Sequence, residues 1–257
     1  MSGFLINPYA FSTTRLISIL AAESLMSGLL YAVDAGDLAS YPGSGTQWID
    51  TSGNGNHFDF VSDPAFSGTA GGLSESEYFV LDGNDYFSLV AGPTFDDGWA
   101  KDNGVFTFGT VSYPVSALSV TCGNANASAQ DGVLGRIESS SGPFQGYYTT
   151  SNTTNAAITS VANTTINTPT LCIFGLDEAT NAGRLKVNHS AAESFVTTST
   201  TCTDNTENFS IGAWGNGNQI DAADTRYYMA FAWSRLLSAA EMNAFATALT
   251  VRFPNMP

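Results

Sequence analysis

Residues 78–90 read Tyr78-Phe79-Val80-Leu81-Asp82-Gly83-Asn84-Asp85-Tyr86-Phe87-Ser88-Leu89-Val90. Two short runs of aromatic and β-branched residues flank a cluster of turn formers. Such runs suit a pleated, half-buried surface. Gly83 can supply the positive φ that a tight turn requires. The stretch therefore predicts two strands joined by a hairpin turn.

The same signals recur outward from this point. Val105-Phe106-Thr107-Phe108-Gly109-Thr110-Val111 alternates apolar with small or polar residues. Leu171-Cys172-Ile173-Phe174-Gly175-Leu176 is nearly continuously apolar, as a fully buried strand is. Asn181-Ala182-Gly183 turns into Arg184-Leu185-Lys186-Val187, which alternates cleanly. Phe209–Trp214 and Tyr227–Trp233 follow, with almost no helical pattern between the strands. The expected fold is all-β: a two-sheet antiparallel jelly-roll sandwich over residues 31–257.

Helical patterns lie at the two ends. Residues 1–30 are expected to form an N-terminal arm, with Pro8 disfavouring helix at Asn7. A helix capped by Ser12 or Thr13 runs to about Ser27, with Gly28 as its stop. Ile19, Ala22, Met26 and Leu29 share one face, and Ile17, Ala21 and Leu25 lie roughly opposite. A helix apolar nearly all round needs cover on more than one side. Its own domain can provide that cover, or another chain can; the expectation is an assembly arm and a homo-oligomer. Residues 16–30 are shorter than the roughly 20 residues of a spanning helix, and Glu23 interrupts them. They are read as a retained structural helix, neither a membrane span nor a targeting sequence. At the other end, Ser238-Ala239-Ala240-Glu241 is a capping box. Met242, Phe245, Ala246 and Leu249 then form one apolar face, and Pro254 ends the pattern.

Composition narrows the function classes. Hydrophobic residues make up 43% of the 257, enough for a sizeable core, whereas charged residues make up only 12%. Ser, Thr, Asn and Gly supply the remaining surface polarity. Eight Lys and Arg face 23 Asp and Glu, a formal net charge of −15. Phosphate backbones are held by Lys and Arg, so nucleic-acid binding is not expected. The three cysteines, Cys122, Cys172 and Cys202, show no CxxC spacing. They read as reduced, mostly buried thiols, with one disulfide plus a free thiol as the alternative.

Three landmarks carry a family resemblance. The first is Tyr31-Ala32-Val33-Asp34-Ala35-Gly36-Asp37, followed by Tyr41-Pro42-Gly43-Ser44-Gly45-Thr46 and Trp48-Ile49-Asp50-Thr51-Ser52-Gly53-Asn54-Gly55-Asn56-His57. The second is Phe79–Tyr86, and the third is Trp233-Ser234-Arg235-Leu236-Leu237-Ser238-Ala239-Ala240-Glu241-Met242. In order and spacing they resemble the concanavalin A-like lectin/glucanase superfamily, in its laminin-G-like jelly-roll branch, over about residues 31–252. Such domains are common in proteins of tailed bacteriophages and in bacterial surface proteins. The opening Met1–Tyr9 also looks like the start of phage virion proteins. One departure stands out: Arg226-Tyr227-Tyr228-Met229-Ala230 lacks the acidic pair that family members often carry before the last strand's aromatic residues.

The resemblance implies a non-enzymatic structural protein of a bacteriophage particle, a decoration or fibre-like subunit. It would be made in the host cytoplasm, located in the virion, and attached to capsid or tail proteins through the arm. Its lectin-like domain would grip host surface glycans. The alternative is a carbohydrate-binding adhesin of a bacterial surface, with a glycoside hydrolase third. Glycanases of the superfamily use two closely spaced carboxylates on one strand. The nearest match here, Ser74-Glu75-Ser76-Glu77, lies in a Gly- and Ser-rich turn, so no catalytic residues are expected.

Two binding sites are candidates. Trp99 and Trp214 would stack on sugars if exposed, or else be buried in the core. Asp50, Asn54 and Asn56 place oxygen atoms in a glycine-rich loop, a pattern that calcium uses. The same side chains also make Asx-type turns with their own backbone, and the turn takes precedence. His57 and His189 have no Cys at zinc spacing and are read as structural.

Overall fold

The structure is a computed structural model that describes residues 14–90, 104–116, 119–126, 132–137, 142–151, 154–196, 207–215, 217 and 220–257. A short helix α1 (Leu16–Ala22) precedes β1 (Leu29–Asp34), β2 (Gln47–Trp48), β3 (Phe58–Val61), β4 (Ala65–Ser67), β5 (Tyr78–Val80) and β6 (Tyr86–Leu89). Then come β7 (Val105–Tyr113), β8 (Ser119–Gly123), β9 (Val133–Ile137), β10 (Pro143–Ser151) and β11 (Thr154–Asn163). The chain continues through β12 (Thr170–Asp177), β13 (Ala182–Val187), β14 (Glu193–Val196), β15 (Ser210–Ile211) and β16 (Arg226–Trp233). It ends in α2 (Ala239–Leu249).

The strands form two antiparallel sheets. The first runs β14-β13-β12-β7-β16-β5-β4, with β1 also paired to β16; the second runs β11-β10-β9-β8-β15-β6-β3-β2. This is the expected all-β sandwich. Its main core lies between the sheets, where Phe79, Phe106, Phe108 and Phe174 of the first meet Trp48, Phe58 and Phe87 of the second. A second core lies on the outer face of the first sheet, where Val111, Ile173, Met229 and Phe231 pack beneath the two helices. Strand β16 serves both: Tyr227, Ala230 and Ala232 face the main core and Tyr228, Met229, Phe231 and Trp233 the outer one, an irregularity in register between Tyr227 and Met229 putting Tyr228 and Met229 on one face. Cys122 and Cys172 are buried free thiols in the main core, and Cys202 lies outside the described residues.

The hairpin expected at residues 82–85 does not form. Strand β5 pairs with β4 and β16, whereas β6 pairs with β3 and β15, so the turn crosses from one sheet to the other. Leu81 exchanges backbone hydrogen bonds with the segment before β16, donating to the Thr225 carbonyl and accepting from Asp224 N. The Asp85 carboxylate then accepts from Asp82 N at 3.0 Å and from Asp63 N at 3.2 Å, fixing the corner. Gly83 takes the positive φ that the turn residues suggested, at 95°. Turn chemistry fixes the local bend, but it does not say which neighbours the flanking strands choose.

The N-terminal helix is also shorter than expected, and it is no separate arm. It is preceded by Arg15 without a side-chain cap, and Ser12 and Thr13 lie outside the described residues. Ser24 turns left-handed at φ 60°. Ser24 N then donates to Ala21 O at 3.2 Å and Leu25 N to Leu20 O at 2.8 Å, a Schellman termination. Leu16, Ile19, Leu20 and Leu25 join the second core with α2, so the domain's own sheet and helix cover them. The boundary drawn between residues 30 and 31 falls inside β1, which already pairs with β16 at Leu29.

Candidate functional site

The glycine-rich loop 50–56 is a clasp between the sheets. Asp50 Oδ1 accepts from Ala32 N at 2.9 Å and Ser52 N at 2.8 Å. Its Oδ2 accepts from the Ser52 hydroxyl at 2.7 Å and Asn56 N at 3.1 Å. Asn54 and Asn56 donate their amide groups to the Leu29 and Leu30 carbonyls of β1. Gly53 and Gly55 both have positive φ, which lets the loop fold back on that strand. The oxygens of Asp50 are thus directed at amide and hydroxyl groups of the protein itself. Among the described residues no group of three or more His, Cys, Asp or Glu side chains could hold a metal. His57 belongs to the same clasp, its Nδ1 accepting from Asp50 N at 3.0 Å.

Trp214 does not offer a stacking face. It is only 7% exposed and packs with Val120, Ala125 and Leu134. Trp99 lies outside the described residues. The pair Glu75 and Glu77 likewise does not make a hydrolytic site. Glu77 is buried, and its Oε2 accepts from Ser74 N at 2.6 Å and from the Ser74 hydroxyl at 2.8 Å. A Cβ on Gly72 would press on the Glu77 carboxylate and displace it from its hydrogen bonds to Ser74. Glu75 is half-buried and lies 3.5 Å from the Asn255 amide.

Two buried acids went unread in the sequence. Asp34 forms a bidentate ion pair with Arg252 Nη1, at 2.6 and 2.7 Å, with both side chains buried. The same carboxylate accepts from Leu16 N at 3.2 Å and Gly36 N at 2.9 Å, joining α1, β1 and the C-terminal tail. Asp34 sits within the first landmark, but its partner lies 218 residues later. Asp221 is the second acid. It accepts from Val120 N at 2.5 Å and the Ser119 hydroxyl at 3.1 Å, and it touches the Tyr227 hydroxyl. Burial pushes its pKa up to about 7, although its hydrogen bonds from Tyr227, Val120 and Ser119 work in the other direction.

A third arrangement sits at the rim of the second core, where the cover of α2 and its tail ends. The Arg226 guanidinium lies between two tyrosine rings, 4.8 Å from the centroid of Tyr78 and 4.3 Å from that of Tyr113. Tyr78 also packs edge-on against Tyr228 at 5.5 Å, and Tyr228 in turn against Phe253. Arg226, Tyr78 and Tyr113 are each half-buried, so one side of the cluster meets solvent. The ion pairs of the described residues do not include Arg226. A separate groove of about 340 Å³ is lined by Ser74, Glu75, Ser76, Arg252, Pro254 and Asn255, and the Glu75 carboxylate in it acts electrostatically on Tyr228. The register of β5, β7 and β16 brings these side chains together; in sequence they are scattered over 149 positions.

No family model matches this chain, and no curated protein does. Solved structures do match its fold. A crystal structure of the botulinum neurotoxin serotype D binding domain superimposes with a TM-score of 0.62 at 12% identity, covering 91% of this chain and 54% of that one. The botulinum neurotoxin serotype G binding domain gives 0.60 at 12% identity, over 85% of this chain and 50% of that one. The botulinum neurotoxin DC binding domain in complex with SialylT gives 0.62 at 9% identity, over 87% and 52%. The chain therefore spans about half the length of each of these neighbours. At such identities the likeness shows a shared two-sheet β-sandwich fold.

Proposed function

We propose that this chain is a non-catalytic, lectin-like recognition domain that binds glycans. The observation that carries the reading is the match of nearly the whole chain to one half of toxin binding domains, some of them solved with sialylated ligands. Fold alone does not establish function, so the chemistry of the sites has to agree. The non-catalytic part of the reading is supported by Glu77, which holds a loop, and by Asp50, which ties the two sheets together. The finer proposal is display on a bacteriophage particle as a decoration or fibre-like subunit, which rests on the sequence landmarks.

The test is a glycan array probed with the full chain, with and without a chelator. Concentration-dependent binding to a coherent set of glycans is expected, with no release of reducing sugar from them. Failure to bind any glycan would overturn the reading. Release of reducing sugar, lost in Glu75→Gln or Glu77→Gln, would replace it with a hydrolase.

A further inference from the structure

We infer that the Tyr78–Arg226–Tyr113 cluster is a binding site for the carboxylate of an acidic sugar, a uronic or nonulosonic acid residue within a glycan. This deepens the lectin reading and rests on it. The inference starts from where the cation stands. The chain has eight Lys and Arg against 23 Asp and Glu, so an arginine without an acidic partner is conspicuous. Arg226 is such a residue among the described ones: its neighbours are the rings of Tyr78 and Tyr113 and the Tyr228 hydroxyl.

The rings meet the face of the guanidinium and the Tyr228 hydroxyl takes one of its five N–H donors, which leaves further donors along its edge. That edge is a planar fork that matches a carboxylate in two-pronged fashion. The two rings hold the fork in place before a ligand arrives, which reduces the entropy lost on binding. The tyrosines add what a sugar needs and a simple anion does not. Their partly exposed rings offer apolar surface for the C–H face of a pyranose, and their hydroxyls offer hydrogen bonds. The groove lined by Ser74, Glu75 and Ser76 opens just before Tyr78 in the chain. There the Glu75 carboxylate can accept from sugar hydroxyls, while it repels a second negative charge. The site thus favours one acidic residue flanked by neutral ones over a polyanion.

The test titrates the full chain by calorimetry with an oligogalacturonide and with sialyllactose, each beside its methyl ester, which removes the charge and adds one methyl group per carboxylate. Binding of at least one acid and loss of binding to its ester are expected. Arg226→Gln should weaken the acid about tenfold or more, the scale of a charge-assisted hydrogen bond. Tyr113→Leu should weaken it less, and Glu75→Gln should narrow the preference against more highly charged oligosaccharides. Arg226→Lys keeps the cation and removes the fork, so it serves if Arg226→Gln fails to fold. With its melting temperature unchanged, it should still lose most of the affinity. Equal binding of acid and ester, or acid binding unmoved by both Arg226 variants, would overturn the inference and leave the lectin reading standing. Absence of binding to any glycan, neutral ones included, would overturn both.

Discussion

Asp221 shows how much one buried group can decide. Its carboxyl is fully buried in the junction between β8 and β16, where Ser119, Val120 and Tyr227 face it. The Tyr227 hydroxyl has a single proton and two acceptors, the Val120 carbonyl at 2.7 Å and Asp221 Oδ2. If the phenol donates to Val120, the contact with Oδ2 is satisfied only when Asp221 carries a proton and donates to the phenol oxygen. Burial raises its pKa to about 7 against the hydrogen bonds donated by Tyr227, Val120 and Ser119, so the protonated form persists up to that value. Between about pH 4 and 7 the folded protein therefore holds a proton that the unfolded chain releases. Stability contributed at this position falls as pH rises through that window, by at most about 1.4 kcal/mol per pH unit. Asp221→Asn keeps the neutral arrangement, its amide donating where the acid did. The variant should gain on the wild type as pH rises from about 4.5 to about 7.5. Denaturant midpoints at the two pH values check this, and a constant difference between the proteins would reject a protonated Asp221.

At the scale of the element, legibility follows the range of the interaction that decides it. The capping box of α2 was readable because it is complete within four residues. Glu241 N donates to the Ser238 hydroxyl at 3.2 Å, and Ser238 N to Glu241 Oε2 at 2.7 Å. Ser238→Ala should cost about 0.5–2 kcal/mol. In a chain of this size that lowers the melting temperature by about 2–4 °C for each kcal/mol. An unchanged calorimetric midpoint would mean that the cap is redundant. The turn at 82–85 was readable as a bend and not as a crossing, because the partners of β5 and β6 come from residues far away along the chain. The alternation of Phe106 and Phe108 in β7 was readable, since period two is a local property, and both rings lie in the main core. The clasp at Asp50 was visible as a turn in its own loop, but its anchors on Leu29 and Leu30 were not. For the same reason the Arg226 cluster left no trace in the order of residues: three strands have to register before it exists.

At the scale of the molecule, the two cores bear on what the described part of the N-terminal segment, residues 14–30, contributes. A sandwich with one core between its sheets would stand without residues 1–30, and a detached arm could then serve assembly alone. Here the outer face of the first sheet has a core of its own, roofed by α1 and α2. Leu16, Ile19, Leu20, Leu25 and Leu29 are all within it. The segment also supplies Leu16 N to the Asp34–Arg252 pair and the Leu25 carbonyl to Trp233 Nε1, at 2.7 Å. Burying each of those five side chains contributes about 1.5–3 kcal/mol, on the order of 10 kcal/mol together. The net stability of a typical domain is only about 5–15 kcal/mol. Removal of residues 1–30 would also cut β1 at its first two residues and expose Met229, Phe231 and Trp233 on the sheet face. The shortened chain should therefore lose its cooperative unfolding transition and bind a hydrophobic dye. Circular dichroism during a thermal ramp, beside dye fluorescence, measures both. A truncated protein that still melts in one sharp transition would show that α1 only rests on the sheet, and would return the segment to the role of an assembly arm.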